Sequence, residues 1–267
     1  MNKKEVLIVS VGTGDSSRHK TIRAIEEKIE SVFSSFLVRH AFTSQIAIEH
    51  IKRNDNVRID NVKEALERAV ENGVKQLVIQ PTHLMKGLGY VELTKDISGY
   101  SNEFEKVVIG EPLLSNEVDF EKVIKAVTGE NAQYDDGKTA ICLVGHGTET
   151  DANEVYVKLQ KMLAKSGYTN YYIGTIKAAP TLADVMGAIR AREYKRIVLL
   201  PLMIAVGNHT KKDIAGEKES SWKKTFENTG YEVECIFRGL GELEAIQKLF
   251  AEHTQVAVEK LKGNENE

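Results

Sequence analysis

Short apolar runs, each cut off by a glycine, a proline or a polar stretch, recur along this chain and alternate with amphipathic segments. No other feature of the sequence restricts the fold as much. The runs lie at 5–11, 36–42, 76–80, 106–110, 140–144, 170–175, 196–201 and 231–237. Each is long enough for one strand and too short for a helix. Strands that read as nearly continuous apolar runs are covered on both faces, and parallel strands need a crossover between them. The intervening segments supply those crossovers. Ile22, Ile25, Ile29, Val32 and Phe33 share one helical face, and Thr43-Ser44 caps a segment carrying Ile46, Ile48 and Ile51. Helices are predicted over 61–72 (ended by Gly73), in part of 91–103, and over 116–128, 151–165, 181–193, 217–228 and 242–262, with a loop at 202–212. The fold class is therefore α/β, with parallel sheets covered by helices.

The polar, turn-forming stretch Glu130-Asn-Ala-Gln-Tyr-Asp-Asp-Gly137 divides the chain into an N-terminal α/β lobe, 1–130, and a C-terminal α/β lobe, 138–267. The two lobes are similar. Ile8-Val-Ser-Val-Gly-Thr13 matches Leu143-Val-Gly-His-Gly-Thr148 at the same strand-to-loop junction, and Gln76-Leu-Val-Ile-Gln-Pro81 matches Arg196-Ile-Val-Leu-Leu-Pro201. Gly87 falls opposite Gly207. Where the second half has His146 and His209, the first has Val11 and Gly89. Two histidines at the ends of two strands of one half are an asymmetry that packing does not require.

His146 stands between two glycines where a strand ends and a helix is about to begin, the edge of a parallel sheet at which ligands bind. His209 follows Gly207-Asn208 in a second such loop. Neutral imidazoles suit borderline divalent metals such as Co²⁺, Ni²⁺, Fe²⁺ and Zn²⁺, and the same groups relay protons near neutral pH. Their separation in sequence fits no local zinc motif. His83, in the matching loop of the first half, is a third candidate, with a hydrogen-bonded structural role as the alternative. The loops at 12–17, Thr43-Ser44 and 147–150 are rich in Gly, Ser and Thr, and each precedes a helix. Such N-termini attract carboxylates or phosphates, although helix capping alone accounts for any single one.

Composition excludes several other classes. A net charge of −3 over 267 residues gives no electrostatic reason to expect nucleic acid. No stretch reaches the length needed to span a bilayer, and the run at 6–11 is too short for a signal-peptide core. Cys142 and Cys235 both lie in apolar strand runs, which reads as small buried side chains in a reducing compartment. A cytoplasmic protein is expected, and association into a homo-oligomer stays open.

At these residues the chain resembles the anaerobic sirohydrochlorin cobaltochelatases of cobalamin synthesis, the CbiK type of the class II chelatases. The resemblance runs through Val9-Ser-Val-Gly-Thr13, Ala41-Phe-Thr-Ser44, Gln80-Pro-Thr-His83, Gly110-Glu-Pro-Leu-Leu-Ser115 and Gly145-His-Gly-Thr148. It continues in Pro201-Leu-Met203, Gly207-Asn-His209, Ser221-Trp222 and Gly239-Leu-Gly241. It implies two similar chelatase-like lobes with a tetrapyrrole in the cleft between them, and insertion of Co²⁺ with no organic cofactor. It also implies that His146 and His209 bind the metal and help remove the pyrrole protons. Gly12, Thr13, Ser44, His83, Gly87, Tyr90, Gly147 and Thr148 are expected to line the tetrapyrrole site. Three positions depart from the family's pattern. Gly89 stands where a glutamate usually contributes to the metal site, Lys177 where an acidic residue is usual, and Asn208 where aspartate is frequent. Glu92, three residues past Gly89, is the expected substitute ligand. Loss of carboxylates near a dication weakens capture of the free ion. Two other readings therefore stand beside cobalt insertion. One is a binding protein for a finished metallotetrapyrrole such as haem, or a chelatase for Fe²⁺ or Ni²⁺. The other is a metal-free module that binds an anion.

Overall fold

The computed structural model of the chain describes residues 3–12 and 16–263, with the backbone alone at 16–19 and 209. The described residues form two four-stranded parallel sheets with helices between the strands. The first sheet contains β1 (Lys3–Ser10), β2 (Leu37–Phe42), β3 (Val74–Pro81) and β4 (Lys106–Ile109) in the order β2-β1-β3-β4. The second contains β5 (Thr139–Gly145), β6 (Tyr171–Thr175), β7 (Arg196–Pro201) and β8 (Glu232–Cys235) in the order β6-β5-β7-β8. The two orders are the same when each set is counted from its own first strand. The register repeats as well, since Val9 pairs with Pro81 and Val144 with Pro201. The likeness seen in the sequence is thus a likeness of topology down to single residues.

The expected parallel sheets follow from burial. Val6 to Val9 and Ala140 to Val144 are almost completely removed from water, because helices cover both faces of each sheet. In the first sheet one such layer packs Leu7, Val9, Leu77 and Ile79 against Ala65, Leu66 and Ala69 of α3 (Val62–Glu71) and Leu93 and Ile97 of α4 (Leu88–Ser98). In the second, Cys142, Val144, Ile197 and Leu199 pack against Val185 and Ile189 of α7 (Leu182–Arg190), with Trp222 and Phe226 beyond them. Both cysteines are free, and burial pushes the Cys235 thiol up to about 11 and the Cys142 thiol further, so neither is a ready nucleophile or ligand.

Three element assignments change. The expected loop at 202–212 contains the start of α8 (Asn208–Ala215), a polar helix anchored by the fully buried Ile214. The expected helix at 217–228 shortens to α9 (Trp222–Glu227), because Ser221 caps it and the preceding residues have no apolar face. Leu88 opens α4 with Gly87 as its N-cap, so Gly89, expected at the end of a loop over 81–89, lies with Tyr90 in the first helical turn.

The lobe boundaries also differ from those expected at 1–130 and 138–267. One compact unit comprises Met1–Ser115 with Glu244–Glu267, and the other Asn116–Leu243. Helix α5 (Glu117–Glu130) follows β4 in sequence but packs on α6 (Glu154–Lys165), where Lys158 Nζ lies 4.6 Å from the Phe120 ring. Helix α10 (Glu244–Lys262) returns to the first sheet. There its Thr254 hydroxyl donates to Gln80 Oε1 at 3.3 Å, and Lys106 Nζ donates to Leu261 O at 2.9 Å. An amphipathic face states that a helix must be buried, not which of two like sheets will cover it.

Candidate active site

The carboxyl edge of the second sheet is assembled from three strand ends. Leu202 N–H donates to Val144 O at 2.8 Å, Ile176 N–H to Gly145 O at 3.0 Å, and Lys177 N–H to His146 O at 2.9 Å. The loop after β5 is therefore pinned between the loops after β6 and β7. Gly147 has φ +82°, and a Cβ there would lie 2.5 Å from Thr175 Oγ1 and 2.9 Å from the Ala178 nitrogen, so only glycine fits. Its N–H donates to the buried Tyr156 hydroxyl at 3.4 Å. Thr148 N–H donates to Asn153 Oδ1 at 3.0 Å, and Asn153 Nδ2 donates in turn to Ala179 O.

On this fixed loop the His146 side chain is exposed, with Nδ1 3.0 Å from Gly147 O. A carbonyl can only accept, so Nδ1 carries the proton and Nε2 is left as the lone-pair nitrogen of the neutral ring. In that tautomer the free Nε2 can bind a metal ion or accept a proton from an acidic N–H. His209 is the second residue of α8, whose N-cap, Gly207, offers no side-chain cap; its imidazole lies outside the described residues.

The first unit repeats the frame without the imidazole at its strand end. Gly12 has φ +85°, and a Cβ there would lie 2.5 Å from Phe42 Cδ2. Thr13 lies outside the described residues. Ser44 N–H donates to Val11 O at 3.0 Å, the counterpart of the Lys177–His146 bond, and its hydroxyl caps α2 (Gln45–Asp55) by accepting from Ala47 N–H at 3.2 Å. His83 is 8% exposed, and among the described residues neither ring nitrogen has a partner. Burial lowers its pKa to about 4, so it is neutral at pH 7. A Cβ at Gly89 would lie 3.4 Å from His83 Nε2. Lys86 Nζ lies 2.7 Å from Glu111 Oε2 and 5.9 Å from the centre of the Tyr90 ring. Burial and Glu111 raise the Tyr90 phenol. Glu92 is exposed on α4.

His146, Gly147 and Thr148 thus share one loop, and His209 follows the next strand of the same unit. His83, Gly87, Gly89 and Tyr90 gather around the start of α4. Gly12 and Ser44 lie on neighbouring strand ends. Glu92 belongs to the unit that lacks His146 and His209. Among the described residues no three His, Cys, Asp or Glu side chains form a metal-sized group. Backbone bonding extends the pairing of the two halves. Leu113 N–H donates to His83 O as Leu240 N–H donates to Met203 O, so His83 corresponds to Met203. His209 corresponds to Gly89 through the paired N-caps Gly207 and Gly87. Tyr156 and Asn153, which hold the histidine loop, carried no signal in the sequence: a tyrosine and an asparagine at a helix start read as core and cap.

Two like parallel units, each with a glycine-bound turn at its carboxyl edge, and an open imidazole on one of them, define an α/β protein of the chelatase type. The chain belongs to the cobalt chelatase (CbiK) family, whose model matches residues 4–259. It is 27% identical over 263 residues to the sirohydrochlorin cobaltochelatase CbiKC of Nitratidesulfovibrio vulgaris, covering 98% of this chain and 93% of that one. It is 26% identical over 257 residues to the sirohydrochlorin cobaltochelatase of Salmonella typhimurium, with 96% and 97% covered. Among solved structures, SirB from Bacillus subtilis with Fe³⁺ superposes with a TM-score of 0.68 at 13% identity over 98% of both chains. CbiX, described as the terminal enzyme of siroheme biosynthesis in denitrifying bacteria, gives 0.59 at 19% identity over 95% of this chain and 99% of that one. These two likenesses concern the fold.

Proposed function

We propose that this protein is a cytoplasmic enzyme that inserts Co²⁺ into sirohydrochlorin, yielding cobalt-sirohydrochlorin and two protons. The observation that carries this reading is His146, exposed at the carboxyl edge of β5 with Nδ1 held by Gly147 O and Nε2 available, in a chain of the cobalt chelatase family. A neutral imidazole can present a borderline dication and then accept a pyrrole proton as the macrocycle takes the metal. His209 is the second such group and Glu92 an oxygen ligand. The strand-end turns at Gly12, Ser44, Gly87, Tyr90, Gly147 and Thr148, with His83, receive the macrocycle. The macrocycle is itself the chelator, so no organic cofactor is required. No helix among the described residues is long and apolar enough to cross a membrane, consistent with soluble substrates.

Anaerobic incubation with sirohydrochlorin and each of Co²⁺, Fe²⁺ and Ni²⁺, followed by absorbance, tests the proposal. Turnover with Co²⁺ is expected, and no insertion of any of the three would refute it. Gly89 and the exposed Lys177 favour one second reading, a protein that holds a finished metallotetrapyrrole. A haem titration giving an imidazole-ligated spectrum without turnover is its signature.

A further inference from the structure

The second unit contains a cavity of 550 Å³ beside the His146 loop, and its lining includes Lys177, Lys212, Lys218, Asp213, Ser220 and Trp222. The three lysines come from three separate places: the turn after β6, the middle of α8 and the segment before α9. Their backbones are fixed. Lys177 N–H donates to His146 O, Lys212 O accepts from Gly216 N–H, and Lys218 O accepts from Ser221 N–H, each at 2.9 Å. The Ser221 hydroxyl donates to Gly216 O at 2.8 Å and holds the last two segments together. Trp222 is 3% exposed and gives the wall a rigid apolar face. All three lysine side chains are exposed, and among the described residues none of them has an ion-pair partner. Nearby Lys223 and Lys224, by contrast, both pair with Glu227. Here three lysines line one cavity, and the single carboxylate among its lining residues, Asp213, leaves an excess of positive charge. Like charges gathered around a concave surface raise its potential, and an anion entering it relieves the repulsion.

We propose that this cavity binds carboxylate arms of the tetrapyrrole, with Lys177, Lys212 and Lys218 as the cations that receive them. The proposal rests on the chelatase reading for the identity of the ligand. It also gives the Lys177 departure a purpose: the position that would otherwise add an acid beside His146 adds instead the cation nearest the histidine loop. Capture of the free metal is weakened while capture of the anionic macrocycle is strengthened. A compact ammonium on a flexible stem suits a carboxylate arm whose position varies, since it acts as a point charge and not through a fixed fork.

The test is titration of the metal-free protein with sirohydrochlorin, read by absorbance, alongside Co²⁺ insertion kinetics. The variants are Lys212→Ala with Lys218→Ala, and Lys212→Arg with Lys218→Arg. Exposed lysines support little packing, so both proteins should melt with the parent. The alanine pair is expected to raise the dissociation constant and KM for sirohydrochlorin about tenfold, as loss of two partly solvated charge pairs would. It should leave kcat and the KM for Co²⁺ in place, and the arginine pair should restore binding. The parent's affinity should fall with added salt, and the alanine pair's should fall less. Equal sirohydrochlorin affinity in parent and alanine pair overturns the proposal. So does citrate binding that the alanine pair loses while sirohydrochlorin binding is kept, since the cavity would then serve a free polycarboxylate. Absence of insertion by the parent would sink the chelatase reading alone, because the metal-free titration still decides the cavity.

Discussion

Replacing Gly147 by alanine tests whether the His146 loop is held where the chemistry needs it. Two costs add at this position. The first is conformational, because φ +82° is a left-handed backbone that an L side chain enters at about 1–2 kcal/mol. The second is steric, because the new Cβ would lie 2.5 Å from Thr175 Oγ1 and 2.9 Å from the Ala178 nitrogen. Thr175 is itself tied to Ala178 N–H at 3.1 Å, and the backbone of that turn is pinned to His146, so neither neighbour can give way cheaply. Overpacking of this kind adds about 1–3 kcal/mol. Gly73 separates the two costs. It has φ +68°, is exposed and has open space around its Cβ position, so Gly73→Ala carries the conformational cost alone. Thermal melting should show Gly147→Ala losing roughly twice the stability of Gly73→Ala or more. Relief of the collision shifts the Gly147 carbonyl that orients the His146 ring, and displacement of about 1 Å costs about a hundredfold in rate. Co²⁺ insertion should fall by about that factor in Gly147→Ala and be unchanged in Gly73→Ala. A Gly147→Ala protein that melts with Gly73→Ala and turns over like the parent would refute the steric account and the positioning of His146 with it.

Other outcomes follow from the same geometry. His146→Ala and His209→Ala should each abolish insertion, and for the exposed His146 with little change in melting temperature; wild-type turnover in either would remove that histidine from its proposed role. Gly89→Glu should tighten Co²⁺ binding measured by calorimetry, because it restores a carboxylate where the family resemblance implies one at the metal site; unchanged affinity would refute the account built on that missing acid. Glu26 is 4% exposed, and burial raises its pKa to about 7 despite Arg23, with Glu27, Glu30 and His40 also nearby. The native state thus holds a proton that the unfolded chain loses near 4.5. The stabilisation is complete below that pH and is lost as pH rises through 7, at most about 3 kcal/mol. Glu26→Gln, neutral throughout, should be more stable than the parent at pH 8 and no more stable at pH 4, as read from urea unfolding.

Much of this protein was legible in its sequence because the deciding forces are local. Runs such as Ala140 to Val144 are apolar at every position only when both faces are covered, so they announce parallel strands without any knowledge of their neighbours. The glycines on either side of His146 mark a turn that other residues cannot make, and the paired motifs around Gly12 and Gly147 disclosed a duplicated unit that the repeated register bears out. Tertiary structure decided what depends on partners distant in the chain. The exchange of α5 and α10 between units could not be read from amphipathic faces that would suit either sheet. The tautomer of His146 was set by a carbonyl whose direction follows from the fold, and the demand for glycine at 147 by Thr175 and Ala178 of another loop. Lys177, Lys212 and Lys218 read singly as solvated surface charges. They become one cationic cavity only when the fold of the second unit brings the turn after β6, α8 and the segment before α9 together.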